Sequence, residues 1–440
     1  MINLFEAFDK QTIVLYNSFK FSGMNRQTIV IEADGFLPDD VKTPYEFFAE
    51  NENLPVKPLF FNQVKTPKFW LIEGNNNDAV IKDTGDIKAR IIYKKNYKHR
   101  IVERIEWLNK QGHTQYIDYY NKYGYSYAQV VLDPNTHKRI LKRYYNAKGE
   151  VFMVENFITN DVILNWQGKE YFFHSKIQFV NFYIQVAGLE SEQFLINSFS
   201  VPAAVINGLS EPSNDYFYWQ GDITSYIIRH MENILSKERR SFSIIVPSDE
   251  AYEQLKSSIS DKWKNRIYKS GYVYKFLKFN HHSNQVLTLT NSDQIPHLEQ
   301  IVQAHPHLDF HIAAMTEMSK ILMNLNKYTN AKLYPNAKKT EFKALYKKCD
   351  IYLDINKGNE ILDAVRAAFD YKLLILGYDA TAHNKVVTAP NHLFDVEDPE
   401  LLINALNEVT QHKDIFDNYL ELQLKQANAI DKTVFIESVN

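Results

Sequence analysis

Two periods of hydrophobic patterning share this chain, and they change places twice. Up to about residue 66, and again from Lys176 onward, short apolar runs alternate with segments whose apolar positions recur every three or four residues. That is the pattern of strands joined by amphipathic helices. Residues 3–22 read as a helical stretch stopped by Ser22-Gly23, and 28–32 as a strand before the turn ADGFLPDD. Between 67 and 173 the helical period gives way to short strands at 89–93, 102–107, 115–119, 125–131, 140–145, 151–156, 162–166 and 170–173. Lys148-Gly149 and Gln167-Gly168 mark hairpin turns, so this stretch predicts an antiparallel meander.

After the meander the chain predicts helix 176–187, strand 194–196, a helix entered through Ser200 and Pro202, strand 216–219, helix 224–235, strand 243–246 and helix 249–259. Strand 273–277 then completes a first Rossmann-like domain. A second begins with strand 286–290, the loop NSDQ, helix 297–304, strands 309–313 and 332–334, and helix 340–348. Its centre is KCDIYLDINKGNEILDAVRAAFDYKLLILGYD, strands 351–353 and 373–376 around a helix from about 359 to 369. Ile361, Leu362, Val365, Ala368 and Phe369 share one face of that helix, which makes a parallel βαβ crossover. Asp398-Pro399 starts helix 400–409, and a last amphipathic helix covers about 415–429.

The expected class is α/β with GT-B architecture: two Rossmann-like domains with an antiparallel β-meander inserted in the first. The expected boundaries are 1–66 with 174–284 for the first domain and 67–173 for the insertion. The second domain covers 285–412, and 413–440 form a C-terminal helix packing back across the domains.

A net charge of −3 gives no reason to expect nucleic acid as a partner. The start MINLFEAFDK carries Glu6 and Asp9 where a secretory signal would be apolar, and no apolar run reaches the length of a membrane span. The single Cys349 excludes an internal disulfide framework and fits a reducing compartment, so a cytoplasmic protein is expected. The loop after strand 351–353 opens onto a helix start, where open α/β sheets hold ligands. Glycines form neither the dinucleotide nor the P-loop pattern, and no D-x-D pair exists for a metal-dependent glycosyltransferase. His281-His282 and His305-Pro306-His307 lack Cys or carboxylate partners at ligand spacing, so no metal and no cofactor are expected.

Several irregular strings carry a family resemblance, among them TIVIEADGFLPDDVKTPYEFF, DVILNWQGKEYFF, LTLTNSDQI and CDIYLDINKGNEILDAVRAAFDYKLLILGYDATAHN. Together they resemble the stabilising, chaperone-like subunit of the peptide O-GlcNAc transferase that works beside the accessory Sec system of Gram-positive bacteria. The resemblance implies a GT-B relative without catalysis that pairs with a catalytic paralogue through the meander. It further implies capture of a serine-rich repeat adhesin as acceptor, a two-plus-two heterotetramer and peripheral contact with the inner face of the cell membrane.

A retaining GT-B enzyme needs cations for the diphosphate and a pair of acids eight residues apart for the sugar. Here the first loop reads Asn291-Ser292-Asp293, which offers an anion the wrong sign, and Ile355 stands eight residues before Asp363. Asp354 or Glu360 substitutes only with a shift in register, so no catalytic residue is expected. A vestigial sugar or acceptor cleft would use Asn291, Ser292, Asp293, His311, Gly358, Asn359, Glu360 and His383. The plainer reading makes Asn359 a helix N-cap and His311 and His383 structural. The Tyr-rich stretch YIDYYNKYGYSYA, with basic runs on either side, makes Tyr119, Tyr120, Tyr123, Tyr125, Tyr127, Lys94, Arg100 and Arg143 candidates for partner binding. Lys82–Arg104 holds eight Lys and Arg against three acids, a surface for an acidic partner, for anionic lipid or for solvent alone. The competing readings are an active retaining glycosyltransferase with a rearranged acid pair and a nucleic-acid module using the basic meander.

Overall fold

The computed structural model describes residues 1–51, 54–95 and 97–439. They form two compact units, Met1–Ser270 with the residues from Ser438 on, and Gly271–Glu437.

A seven-stranded parallel sheet organises the first unit, in the spatial order Ile267–Lys269, Arg240–Val246, Ser213–Tyr218, Phe194–Ile196, Ile2–Ala7, Thr28–Glu32, Val41–Lys42. The chain starts at the centre, runs to one edge, and returns to the other side of its first strand. The direction reverses between Ile2–Ala7 and Phe194–Ile196, a topological switch point. The expected helix over 3–22 is corrected here: Ile2–Ala7 is a strand, and helix Lys10–Phe21 begins only after Asp9, whose carboxylate accepts from Thr12 N. Ile2, Asn3, Leu4 and Phe5 are all buried, so this central strand shows no alternation and periodicity alone does not separate it from a helix.

Ten antiparallel strands, from Leu71–Gly74 to Lys169–Phe173, follow one another in sequence and in space. Leu71–Gly74 is mostly exposed and Asp78–Asp83 holds only the short apolar run Ala79–Ile81, so the apolar pattern marks neither as a strand. One face of this sheet packs into the first unit's core, where Tyr144, Met153, Leu164 and Phe173 meet Tyr45, Phe48, Phe179 and Tyr183. The Tyr45 and Tyr144 rings stack with centroids 4.4 Å apart. Lys176 reinforces the seam by bridging Glu32 and Glu155.

The second unit carries a six-stranded parallel sheet in the order Ala331–Tyr334, Asp309–Ala314, Gln285–Thr290, Ile351–Asp354, Leu374–Tyr378, Leu393–Phe394. Its switch point lies between Gln285–Thr290 and Ile351–Asp354. Residues 271–284 group with this unit, whereas the sequence placed them in the first. Residues 273–277 form no strand, and Ile267–Lys269 takes the edge of the first sheet instead. Tyr272 N donates to Asn428 O at 2.7 Å and Tyr274 Oη to Ala427 O at 3.0 Å, which fixes 271–284 to the second unit.

The expected single C-terminal helix is two, Lys413–Gln426 and Lys432–Val439, separated at Asn428, which is left-handed with φ 52°. Lys413–Gln426 packs within the second unit, since Gln423 bonds Leu373 O and Ile375 N. Only the last residues group with the first unit, where Arg26 Nη2 donates to Val439 O at 2.7 Å. The crossover helix is also shorter than expected and runs Ala364–Asp370. Leu362 and Asp363 are both left-handed, at φ 51° and 50°, so the chain cannot be helical from Asn359. Among the described residues no helix is long and apolar enough to cross a membrane.

Candidate functional site

The strands around the second unit's switch point end at Thr290, Asp354 and Tyr378, and their loops meet. Asp354, buried at its strand end, takes His383 N on Oδ2 at 2.8 Å and His383 Nδ1 on Oδ1 at 2.5 Å. The other ring nitrogen, Nε2, lies 2.8 Å from Gly358 O. A carboxylate and a carbonyl only accept, so both ring nitrogens donate and His383 is an imidazolium. The Asp354 hydrogen bond accordingly lifts its pKa from the ordinary 6.5 to about 9.

The facing loop closes the site from the other side. Asn291 Nδ2 donates to Asn359 O at 2.9 Å, and Asn356 Nδ2 to Asn291 Oδ1 at 3.2 Å. Asn356 Oδ1 accepts from Gly358 N at 3.1 Å and from Thr290 Oγ1 at 3.0 Å. The fit at Gly358 admits no side chain: a Cβ there would stand 2.0 Å from Asn291 Oδ1. Ser292 Oγ accepts from Gln294 N. Glu360 Oε1 accepts from Val365 N at 3.0 Å, so Glu360, not Asn359, caps the crossover helix, and burial pushes its carboxyl pKa up.

Asn291, Ser292, Gly358, Asn359 and His383 therefore meet, with Glu360 at the loop's far end, while Asp293 is exposed. His311 is elsewhere: it is fully buried mid-strand between Tyr334 Oη and Gln285 Oε1, each 2.8 Å away. Sequence reasoning missed Asn356 and Thr290. The signal for Asn356 was local, an Asn two residues before a Gly at a strand end, where its side chain caps the turn.

The first unit's switch point holds a cavity of about 290 Å³, lined by Glu6, Asp9, Asn197, Ser198, Trp219 and Gln220 among others. Ser198 Oγ donates to Glu6, Asn197 Nδ2 to Thr12 Oγ1 at 2.9 Å, and Gln220 Nε2 to Gln11 O at 3.0 Å. Its lining carries two carboxylates, amides, hydroxyls and an indole, and no Lys or Arg. Such walls suit hydroxyl and amide donors and repel phosphate. This site stayed hidden in the sequence because reading residues 3–22 as a helix took Glu6 off its strand end.

The partner candidates divide. Tyr119 and Tyr127 turn inward against the first unit's core, with Tyr127 Oη donating to Ala33 O at 3.2 Å. Tyr125 Oη accepts from Asn51, Tyr123 lies beneath Lys122, and Tyr120 packs on the meander's own apolar cluster. Lys94 is held by Asp34 and Glu103, Arg100 by Asn76, and Arg143 by Gln129. Among the described residues, no group of three or more His, Cys, Asp or Glu is placed to hold a metal ion.

Family models match most of the chain: the GtfB N-terminal domain at 2–48, the GtfB middle domain at 70–174, the GtfB third domain at 176–257 and the GftB/GlyA-F C-terminal domain at 286–423. The peptide N-acetylglucosaminyltransferase stabilizing protein GtfB of Streptococcus agalactiae is 38% identical over 411 residues, 93% of each chain. Its Streptococcus gordonii counterpart is 35% identical over 442 residues, covering 100% of this chain and 98% of that one. A chain of the crystal structure of the GtfA/B complex bound to UDP and GlcNAc superposes with a TM-score of 0.92 at 35% identity, covering 100% of this chain and 99% of that one. S. aureus TarM, at 10% identity and a TM-score of 0.51 over 99% of this chain and 98% of its own, shares the fold alone. The architecture is GT-B, and the chain belongs to the GtfB family of stabilizing proteins of the UDP-N-acetylglucosamine–peptide N-acetylglucosaminyltransferase.

Proposed function

We propose that this chain is the non-catalytic subunit of a peptide O-GlcNAc transferase: it pairs with a catalytic paralogue, stabilises it, and helps bind the serine-rich repeat acceptor before export through the accessory Sec system. The observation that carries this reading is the closed loop of the second unit. Asp354, one of the two acids that could replace the missing partner of Asp363, has both oxygens taken by His383, and Asn291 and Asn356 spend their amides on the same loop. The loop after Thr290, where a cation for a leaving diphosphate is expected, carries Asn291, Ser292 and Asp293 instead. The names of the relatives and the GtfA/B complex support the pairing.

Acceptor binding is supported by the open cavity of the first unit, whose carboxylates and amides match the hydroxyls and backbone amides of a Ser- and Thr-rich chain. The reading includes a two-plus-two assembly and peripheral contact with the inner face of the membrane, with no cofactor bound by this subunit. The test is transfer of GlcNAc from UDP-GlcNAc to a Ser/Thr-rich peptide by each subunit alone and by both. Transfer only with both chains present is expected, together with cooperative thermal stabilisation on mixing. Transfer by this chain alone would replace the proposal with an active glycosyltransferase using Asp354 or Glu360.

A further inference from the structure

Residues 274–281, YKFLKFNH, form a strap on the second unit that bends at Leu277-Lys278 and does not join its sheet. Burial alternates along it. Tyr274, Phe276, Lys278 and Asn280 turn inward, while Lys275, Leu277, Phe279 and His281 turn out. The inward side is pinned at every other residue. Tyr274 Oη bonds Ala427 O, and the Phe276 ring packs on Phe369. Lys278 Nζ pairs with Asp350 at 2.6 Å, and Asn280 Nδ2 reaches both Asp350 O and Lys372 O. Held this firmly, the strap displays two large apolar side chains to solvent, Leu277 at 56% and Phe279 at 80% exposure.

Lysines flank the strap. Lys347 and Lys348 end helix Lys339–Lys348, whose backbone meets Lys278, and Lys372 lies over the Phe276 ring. The carboxylates of this edge are already engaged, Asp350 by Lys278 and Asp370 by Arg366. Lys275, Lys347, Lys348 and Lys372 have no ion-pair partner among the described residues.

We infer that this strap is a docking surface for an anionic membrane. Two protruding apolar side chains on a strap flanked by lysines are too little for a stable protein interface, which buries about 800 Å² per partner and excludes Lys from its core. They suit shallow entry into a headgroup layer, where apolar insertion and electrostatic attraction act together. The strap lies beside the starts of strands Ile351–Asp354 and Leu374–Tyr378, at the edge opposite the closed loop, so a membrane held there leaves the loop side free. The inference rests on the membrane-contact part of the proposal above and assigns it to residues.

Co-sedimentation of the full chain with phosphatidylcholine vesicles, with and without phosphatidylglycerol, tests it. Binding to the anionic vesicles alone, weakened by salt, is expected. Phe279→Ser should abolish most of it, and Lys347→Gln with Lys348→Gln should lower the partition coefficient roughly fivefold per lysine. All three positions are exposed or half-exposed surface, and an unchanged thermal melt checks that the variants fold. No binding to anionic vesicles sinks both the strap and the membrane reading. Binding that these substitutions leave unchanged sinks the strap alone. If Phe279→Ser weakens association with the catalytic partner and not with vesicles, the strap is a protein contact and the inference is overturned.

Discussion

His383 grips the Asp354 carboxylate twice, backbone N–H to Oδ2 at 2.8 Å and ring Nδ1 to Oδ1 at 2.5 Å, while its other ring nitrogen holds Gly358 O at 2.8 Å. The folded protein raises the pKa of this imidazole to about 9, above the unfolded 6.5. Its stabilisation is therefore complete below about pH 6.5 and is lost as pH rises through about 9. His383→Gln keeps some hydrogen bonding but removes the charge, and should cost about 2–3 kcal/mol at pH 6.5, since it leaves a buried carboxylate unneutralised. Denaturant unfolding of wild type and variant at pH 6.5 and 9 checks this: the two curves should converge at the higher pH. Parallel curves would mean that the imidazole is neutral throughout.

Gly358 and Asn291 form a second lock on the same loop. A methyl group on Gly358 would lie 2.0 Å from Asn291 Oδ1, so Gly358→Ala should destabilise by about 1–3 kcal/mol. Asn291→Ala removes the obstructing oxygen, at the cost of its bonds to Asn359 and Asn356. The double variant should then be more stable than the sum of the two single losses predicts, a coupling that chemical denaturation of all four proteins measures.

Much of this architecture was legible in the sequence, and the exceptions have local causes. Strands Val151–Asn156, Val162–Trp166 and Phe194–Ile196 fall where apolar runs and turn residues put them. Ile2–Ala7 did not, because a strand buried on both faces carries no period. The start of the crossover helix was misplaced because Ile361 and Leu362 continue its apolar spacing, while their backbone turns left-handed at Leu362. Tyr119 and Tyr127 show the same limit: alternation says that tyrosines line a face, and only the packing of Tyr45, Phe48 and Phe179 decides which face is covered. His383 was legible as a residue near a strand end, but its grip on Asp354 spans 29 residues and joins two loops.

Arg240 and Asp215 stabilise the first unit from inside. Both are almost fully buried, and the guanidinium meets the carboxylate at 2.7 Å and 2.9 Å while also donating to Glu190 O, Glu192 O and Glu211 O. Asp215 Oδ1 takes Phe194 N as well, tying two neighbouring strands. Arg240→Ala leaves a buried carboxylate and three carbonyls without their donor and should cost about 3–5 kcal/mol. Arg240→Lys should recover little, because one ammonium cannot reproduce the two-pronged contact. Thermal melts of the three proteins decide the point, and rescue by lysine would show that charge alone matters.

The second unit should also weaken in acid, for the opposite reason to His383. Gln285 Nε2 donates to Asp309 Oδ2 at 2.8 Å, which turns its Oε1 toward His311 Nε2. Nε2 must then carry the proton, and in the neutral ring that leaves Nδ1 to accept from Tyr334 Oη. Burial, with Lys348 and Lys332 adding repulsion, lowers its pKa from 6.5 to about 4. The unfolded chain takes up a proton near pH 6.5 that the folded chain refuses until about 4, so this stability is present above pH 6.5 and drains away as pH falls toward 4. His311→Gln has no such proton to gain. Its stability loss between pH 6.5 and 4 should be smaller than that of the wild type by about 2–3 kcal/mol, measured by urea unfolding across that range. An equally steep acid limb in the variant would place the titration on other groups, His392 and His305 first, since burial lowers both of their pKa values too.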